Sequence, residues 1–354
     1  MGRLLPLLFA LACAAPLESV SRGPSEFGAG TLIVLNKSGA SASLFDAMTG
    51  DRLLDVPTGA FPHEVAVSPD GETAVVSNYG GPQPGGNSLT VIDVPEGRVL
   101  RTIDLGDNRR PHGLEYLPGG RQVVVTTEGS GRIAIVNVPA GRVVRTIETG
   151  QKVSHMVVLD TKRGQAWVSN IGSGSVCVID LNRGVVTKTI PTGIGAEGLD
   201  LAPDGSVVWV GNRGADTISV IDAASLEVLA ELPCAGFPIR VKFTRDGKRV
   251  LVSNARSGEV AVFDATTREE IARIPMELTP LEAKDGRLFG DDFAGSPVPV
   301  GLLVSADGQR AWVANTNADI VTVLDLARLE VAGRIKAGAE PDGLGWSALK
   351  PARR

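Results

Sequence analysis

The chain has 354 residues, 43% of them hydrophobic, with 43 glycines, 22 prolines and a formal charge of −5. That is enough apolar residue for a substantial core, and the turn-forming residues are too frequent for long amphipathic helices. Two tyrosines, four tryptophans and no Lys/Arg cluster exclude an ordinary nucleic-acid surface.

In chain order, the first feature is an export signal over residues 1–14. Arg3 supplies positive charge, Leu4 to Ala12 form an apolar run too short to span a bilayer, and small residues follow. Two cleavage readings stay open. Ala12 and Ala14 fit cleavage after Ala14, which releases a soluble protein. Ala10-Leu11-Ala12-Cys13 instead resembles a bacterial lipobox without its leading Leu, with Cys13 as lipid anchor and sole membrane contact. Either way the protein is expected outside the cytoplasm, periplasmic, secreted or tethered to the envelope. A linker is expected over 15–29.

From residue 30 a single unit recurs. Pro62 to Gly106 begins Pro62-His63-Glu64-Val65-Ala66-Val67 and turns at Ser68-Pro69-Asp70-Gly71. It continues Thr73-Ala74-Val75-Val76-Ser77-Asn78, resumes at Leu89-Thr90-Val91-Ile92-Asp93 and ends with Val99 to Ile103. The pattern returns from Pro111, Ser154, Ala196, Pro238 and Pro299. An Asp or Asn after the third strand marks the period, at Asp93, Asn137, Asp180, Asp222, Asp264 and Asp325. The last interval is lengthened by an insertion over 277–298. A seventh unit is split. Thr31 to Asn36, Ser43 to Asp46 and Arg52 to Val56 supply strands two to four, and Pro341 to Trp346 supplies strand one from the other end of the chain. The expectation is an all-β, seven-bladed propeller over 30–347. Its blades have four strands, its closing blade is shared three-plus-one between the termini, and a tail follows over 348–354.

Ala166-Trp167-Val168-Ser169-Asn170, Val208-Trp209-Val210-Gly211-Asn212 and Ala311-Trp312-Val313-Ala314-Asn315 resemble the YVTN signature of bacterial and archaeal seven-bladed propellers. The resemblance implies the fold and leaves function open. Related rings occur in surface-layer modules, nitrous oxide reductase, haem-d1 nitrite reductase and some lactonases. Three histidines and no second domain are too few parts for the copper or haem enzymes. No nucleophile elbow, P-loop or dinucleotide fingerprint is present.

Strand polarity sorts the loops into two ends. Turns such as Pro69-Asp70-Gly71, Pro203-Asp204-Gly205, Asp246-Gly247 and Asp307-Gly308 are expected as hairpin turns at the bottom. The top carries the start of each first strand and the less uniform loops, including Tyr79 to Asn87, Arg213, Arg256 and Asn315-Thr316-Asn317. The insertion, with Glu277, Glu282, Asp285, Asp291 and Asp292 around Leu288-Phe289, also falls there. Cys177 and Cys234 stand in different registers and are expected as packing residues without a disulfide.

All three histidines occupy one repeat position, as His63, His112 and His155. The other units place Glu197, Ile239, Val300 and Asp342 there. A closed ring sets these positions side by side around the channel mouth, with Arg240 one residue beyond Ile239. The ligand-binding set is therefore His63, His112, His155, Glu197, Arg240 and Asp342. Neutral imidazoles with one carboxylate suit a divalent zinc, copper or iron ion, so His63, His112 and His155 form a candidate metal set. The competing reading is structural, with polar residues serving channel-facing backbone. The leading functional expectation is an extracytoplasmic binding or scaffold protein, monomeric, holding a small ligand or an envelope protein at the top face and no nucleic acid. The alternative is a lactonase-like metal-dependent hydrolase using the three histidines with Glu197 or Asp342.

Overall fold

The computed structural model describes residues 29–82, 85–278 and 290–352. The expected export signal, Cys13, most of the linker and Glu282, Asp285, Leu288 and Phe289 of the insertion lie outside the described residues. Among the described residues, twenty-eight strands, β1 to β28 in chain order, form seven four-stranded antiparallel sheets arranged as blades. The innermost strands are β4 (Pro62–Val67), β8 (Pro111–Tyr116), β12 (Ser154–Asp160), β16 (Ala196–Leu201), β20 (Pro238–Phe243), β24 (Pro299–Val304) and β28 (Pro341–Ser347). Each packs against the next around the ring, and β28 packs against β4.

Local chemistry explains the repeat. The Asp or Asn closing each third strand accepts main-chain N–H groups two or three residues on, as an Asx turn does. Asp222 Oδ1 takes Ala224 and Ser225, Asp264 Oδ1 takes Thr266 and Thr267, and Asp325 Oδ1 takes Ala327 and Arg328. Those bonds hold Asp222 and Asp264 below the usual carboxylate range. The bottom turns use the same device, with Asp246 Oδ1 accepting from Thr244 Oγ1 (2.6 Å) and the Lys248 N–H (3.0 Å). At the top, the recurring Asn ties strands together. Asn78 Nδ2 donates to Ser88 and Thr90, while its Oδ1 accepts the N–H of Gly59 arriving from the preceding blade.

The ring closes as a three-plus-one blade. β28 pairs antiparallel with β1 (Thr31–Asn36), setting Leu32 opposite Trp346, Ile33 opposite Gly345 and Val34 opposite Leu344. β2 (Ser41–Asp46) and β3 (Arg52–Pro57) complete the sheet. No strand edge is left between the first and last blades. The tail adds to the seam, with Thr31 Oγ1 donating to Leu349 O (2.6 Å) and Lys350 paired to Asp46 (2.6 Å).

Apolar side chains of the middle strands fill the gaps between blades. Trp167, Trp209 and Trp312, from the YVTN-like segments, are fully buried there. Cys177 and Cys234 are free and buried. Every innermost strand carries one extra residue near its start, a β-bulge; in β4 the register shifts between the Pro62–Asn78 and Val65–Val76 pairs. Glycine at the bulge lets adjacent strands approach. A Cβ on Gly343 would lie 2.2 Å from His63 O, and one on Gly301 would lie 1.9 Å from Asp342 O.

Candidate functional site

Each innermost strand begins the same way. The residue before it is left-handed, with φ between 51° and 69° at Phe61, Arg110, Val153, Phe237, Val298 and Glu340, and φ 78° at Gly195. For the β-branched Val153 and Val298 this conformation costs on the order of 1–3 kcal/mol, which the surrounding packing must offset. The left-handed carbonyl accepts the N–H of the residue that follows the second strand. The pairs include Tyr79 to Phe61 (3.1 Å), Glu128 to Arg110 (3.0 Å), Arg213 to Gly195 (3.1 Å) and Lys37 to Glu340 (2.9 Å). Two registers therefore meet at the top of every blade. One holds His63, His112, His155, Glu197, Ile239, Val300 and Asp342. The other holds Lys37, Tyr79, Glu128, Ile171, Arg213, Ala255 and Thr316.

All of them but Ala255 and Thr316 line a cavity of about 300 Å³ over the channel. His155 is its electrostatic centre. Nδ1 meets Glu128 Oε1 in a very short contact, and Nε2 lies 3.1 Å from Glu197 Oε1. Glu197 is paired with Arg213 (2.5 Å) and Arg240 (3.2 Å), and Glu128 Oε2 accepts the Tyr79 hydroxyl (2.6 Å). On the far side Lys37 pairs with Asp342 at 3.2 Å. The imidazoles lie in ring-to-ring contact, His112 tilted against His155 and edge-on to His63. His155 and His112 have ring centroids 3.7 Å apart, His112 and His63 5.0 Å, and His63 stacks on Tyr79 at 4.3 Å.

These surroundings drive the histidines apart in basicity. Burial opposes charge on His155, but Glu128 and Glu197 outweigh it and lift the ring to about 9. Burial, with the positive His155 beside it, holds His112 neutral well below the ordinary value. His63 falls to about 4, again mainly by burial. Burial would raise Glu197, yet Arg213 and His155 bring it down to about 2. His112 Nδ1 and Asp342 Oδ1 are buried without a hydrogen-bond partner among the described residues.

Arg240 forms the floor. From β20 its guanidinium reaches across the channel to Glu64 Oε1 on β4, on the opposite side of the ring, at 2.6 Å. The pair separates the upper cavity from a lower one of about 480 Å³ lined by Glu64, Glu115, Lys242 and Met156 among others. The apolar arc of the upper cavity, Ile239 and Val300, packs with Phe237 and with Phe293 from the end of the insertion. Asp291 and Asp292, in a short 3₁₀ turn, are exposed.

The six residues expected at the channel mouth thus line one cavity. Within it, the ligand atoms of His112, His155 and Glu128 all lie within 4.8 Å of one another. His63, the third member of the expected metal set, is outside that group and bonds through Nδ1 to Phe61 O (2.8 Å). Sequence reasoning missed Glu128, Lys37 and Tyr79 as site residues. The signal for them was present, since each follows the Asn or Thr that ends its second strand, as Arg213 does. Arg256 points away, to Asp216 at 2.5 Å.

The fold and the site define a closed seven-bladed propeller with a charged cavity at one end of its channel. A family model described as a YNCE-like β-propeller matches residues 165–283. That match and the ring of seven fit a YVTN-type family of seven-bladed propellers. No curated protein matches the chain in sequence. Among solved structures, it is similar to a chain of Kuenenia stuttgartiensis hydrazine synthase (TM-score 0.69, 21% identity, covering 87% of this chain and 98% of that one). It is also similar to a functionally unknown protein from Desulfotomaculum acetoxidans (TM-score 0.73, 16% identity, covering 91% and 100%). At these identities the likeness is one of fold.

Proposed function

We propose that this propeller is an extracytoplasmic binding protein that holds a small polar or charged ligand in the upper cavity. One observation carries the reading. His112 Nδ1 and Asp342 Oδ1 belong to cavity-lining side chains and are buried with no partner among the described residues, in a space of about 300 Å³. Buried polar atoms left unpaired are costly, and an occupant that pairs them recovers that cost. The walls favour a ligand with both polar and apolar parts, since charged groups face Ile239 and Val300 across the space. The signal-like residues 1–14 support export, with Cys13 as the alternative anchor.

The test is a thermal-shift panel of small carboxylates, amino acids, monosaccharides and nucleosides. It is run on the protein and on Ile171→Trp, which fills part of the cavity while leaving its charged residues unsubstituted. At least one compound should raise the melting temperature of the parent and not of the variant. A panel with no response, or one that Ile171→Trp leaves unchanged, would sink the reading.

A further inference from the structure

We propose that His112, His155 and Glu128 bind one divalent transition-metal ion, with Glu197 as the residue that orients His155, so that the metal anchors whatever enters the cavity. This rests on the reading of the upper cavity as a binding site and names the chemistry at its centre.

Geometry comes first. Ligand atoms within 4.8 Å of one another need only small side-chain adjustments to surround a single ion. Zinc-type ions sit about 2.0–2.2 Å from imidazole nitrogen and carboxylate oxygen, which puts neighbouring ligand atoms roughly 3.5 Å apart. His112 brings a buried ring nitrogen, Nδ1, that has no other partner among the described residues. Glu128 is fixed through its other oxygen by the Tyr79 hydroxyl, which leaves Oε1 facing His155.

The surroundings of His155 match how metal-bound histidines are held. A ligating imidazole usually donates its second ring N–H to a carboxylate, which sets its orientation and basicity. Here Nε2 faces Glu197 at 3.1 Å, and Glu197 is itself clamped by Arg213 and Arg240. Nδ1 is thereby turned to the side where Glu128 lies, and an ion bound there would displace the proton that Nδ1 carries in the metal-free protein. Two nitrogens and one carboxylate oxygen select zinc, copper, cobalt or iron over calcium and magnesium, which take all-oxygen sets. Three protein ligands bordering a cavity leave a coordination position for a small molecule.

The experiment uses the full chain without an affinity tag, stripped with chelator and titrated with Zn²⁺ by calorimetry and with Co²⁺ by visible absorption. The expected result is one ion per chain, with Co²⁺ bands of a low-coordinate nitrogen/oxygen site. His112→Gln and Glu128→Gln, checked for native circular dichroism, should each lose binding at least 100-fold. Glu197→Gln should weaken it about 10–100-fold and shift the Co²⁺ bands. His63→Ala should keep the stoichiometry. The proposal is overturned by absence of stoichiometric binding, or by parental affinity in whichever of the two ligand variants folds. If metal fails to bind while the polar panel still stabilises the parent and not Ile171→Trp, the metal assignment falls and the binding reading stands.

Discussion

Replacing Arg240 by Met removes a cation that joins Glu64 and Glu197 across the channel. The side chains involved are 5%, 13% and 3% exposed, so bulk water can do little to compensate. Truncating one partner of a buried pair leaves an uncompensated charge and costs about 3–5 kcal/mol. Glu197 keeps Arg213 and His155, so most of the cost falls on Glu64. Burial already lifts that carboxyl above its usual range while Arg240 pulls against it. Without Arg240, the folded-state value of Glu64 rises further above its unfolded one. The variant therefore loses stability as pH increases and recovers as pH falls and Glu64 takes up a proton. Glu64→Gln alone should cost under about 1 kcal/mol, and adding it to Arg240→Met should restore about 1–3 kcal/mol as a coupling energy. The assay is urea unfolding at pH 5 and pH 8, followed by the fluorescence of the buried Trp167, Trp209 and Trp312. A loss below about 1 kcal/mol at pH 8, or the same loss at both pH values, would refute the crossbar.

Three further outcomes follow from the same geometry. Burial, against the pull of Lys242, lifts Glu115 to about 7 from the usual 4.5. The fold should thus lose stability as pH rises through that window, and Glu115→Gln should gain on the order of 1–3 kcal/mol over the parent at pH 8 and nothing at pH 4.5. Gly343→Ala drives a Cβ to 2.2 Å from His63 O. It should cost about 1–3 kcal/mol in urea unfolding, and an unchanged midpoint would mean that the β28–β4 seam is looser than described. Deleting residues 339–354 removes β28 and exposes β1 as an edge. Size-exclusion chromatography should then show aggregation; a soluble monomer with the parental unfolding midpoint would contradict closure by β28.

The architecture was legible because the repeat is written in residues with local jobs. Asp93, Asp180 and Asp264 recur because each closes an Asx turn, and Asp70 and Asp246 because each closes a hairpin. Such jobs need only a few neighbouring residues, so the sequence displays them directly. The first register of the site was legible for the same reason, since His63, His112, His155, Glu197 and Asp342 fall at one repeat position. The second register was harder to see. Lys37, Tyr79 and Glu128 come to the cavity only because a left-handed residue from the preceding loop receives their N–H groups. The Arg240–Glu64 pair depends on a long side chain reaching over an open channel, and no spacing along the chain announces that.

Seven blades bring all three histidines of the chain into one buried, charged cavity. Histidine NMR titration of the tag-free, metal-stripped protein tests it most directly, because the three signals can be assigned with three single variants. One imidazole should titrate near 9, one near 4 and one should stay neutral throughout the accessible range, for His155, His63 and His112 in that order. Three ordinary titrations clustered near 6.5 would mean solvated, separate rings and would contradict it.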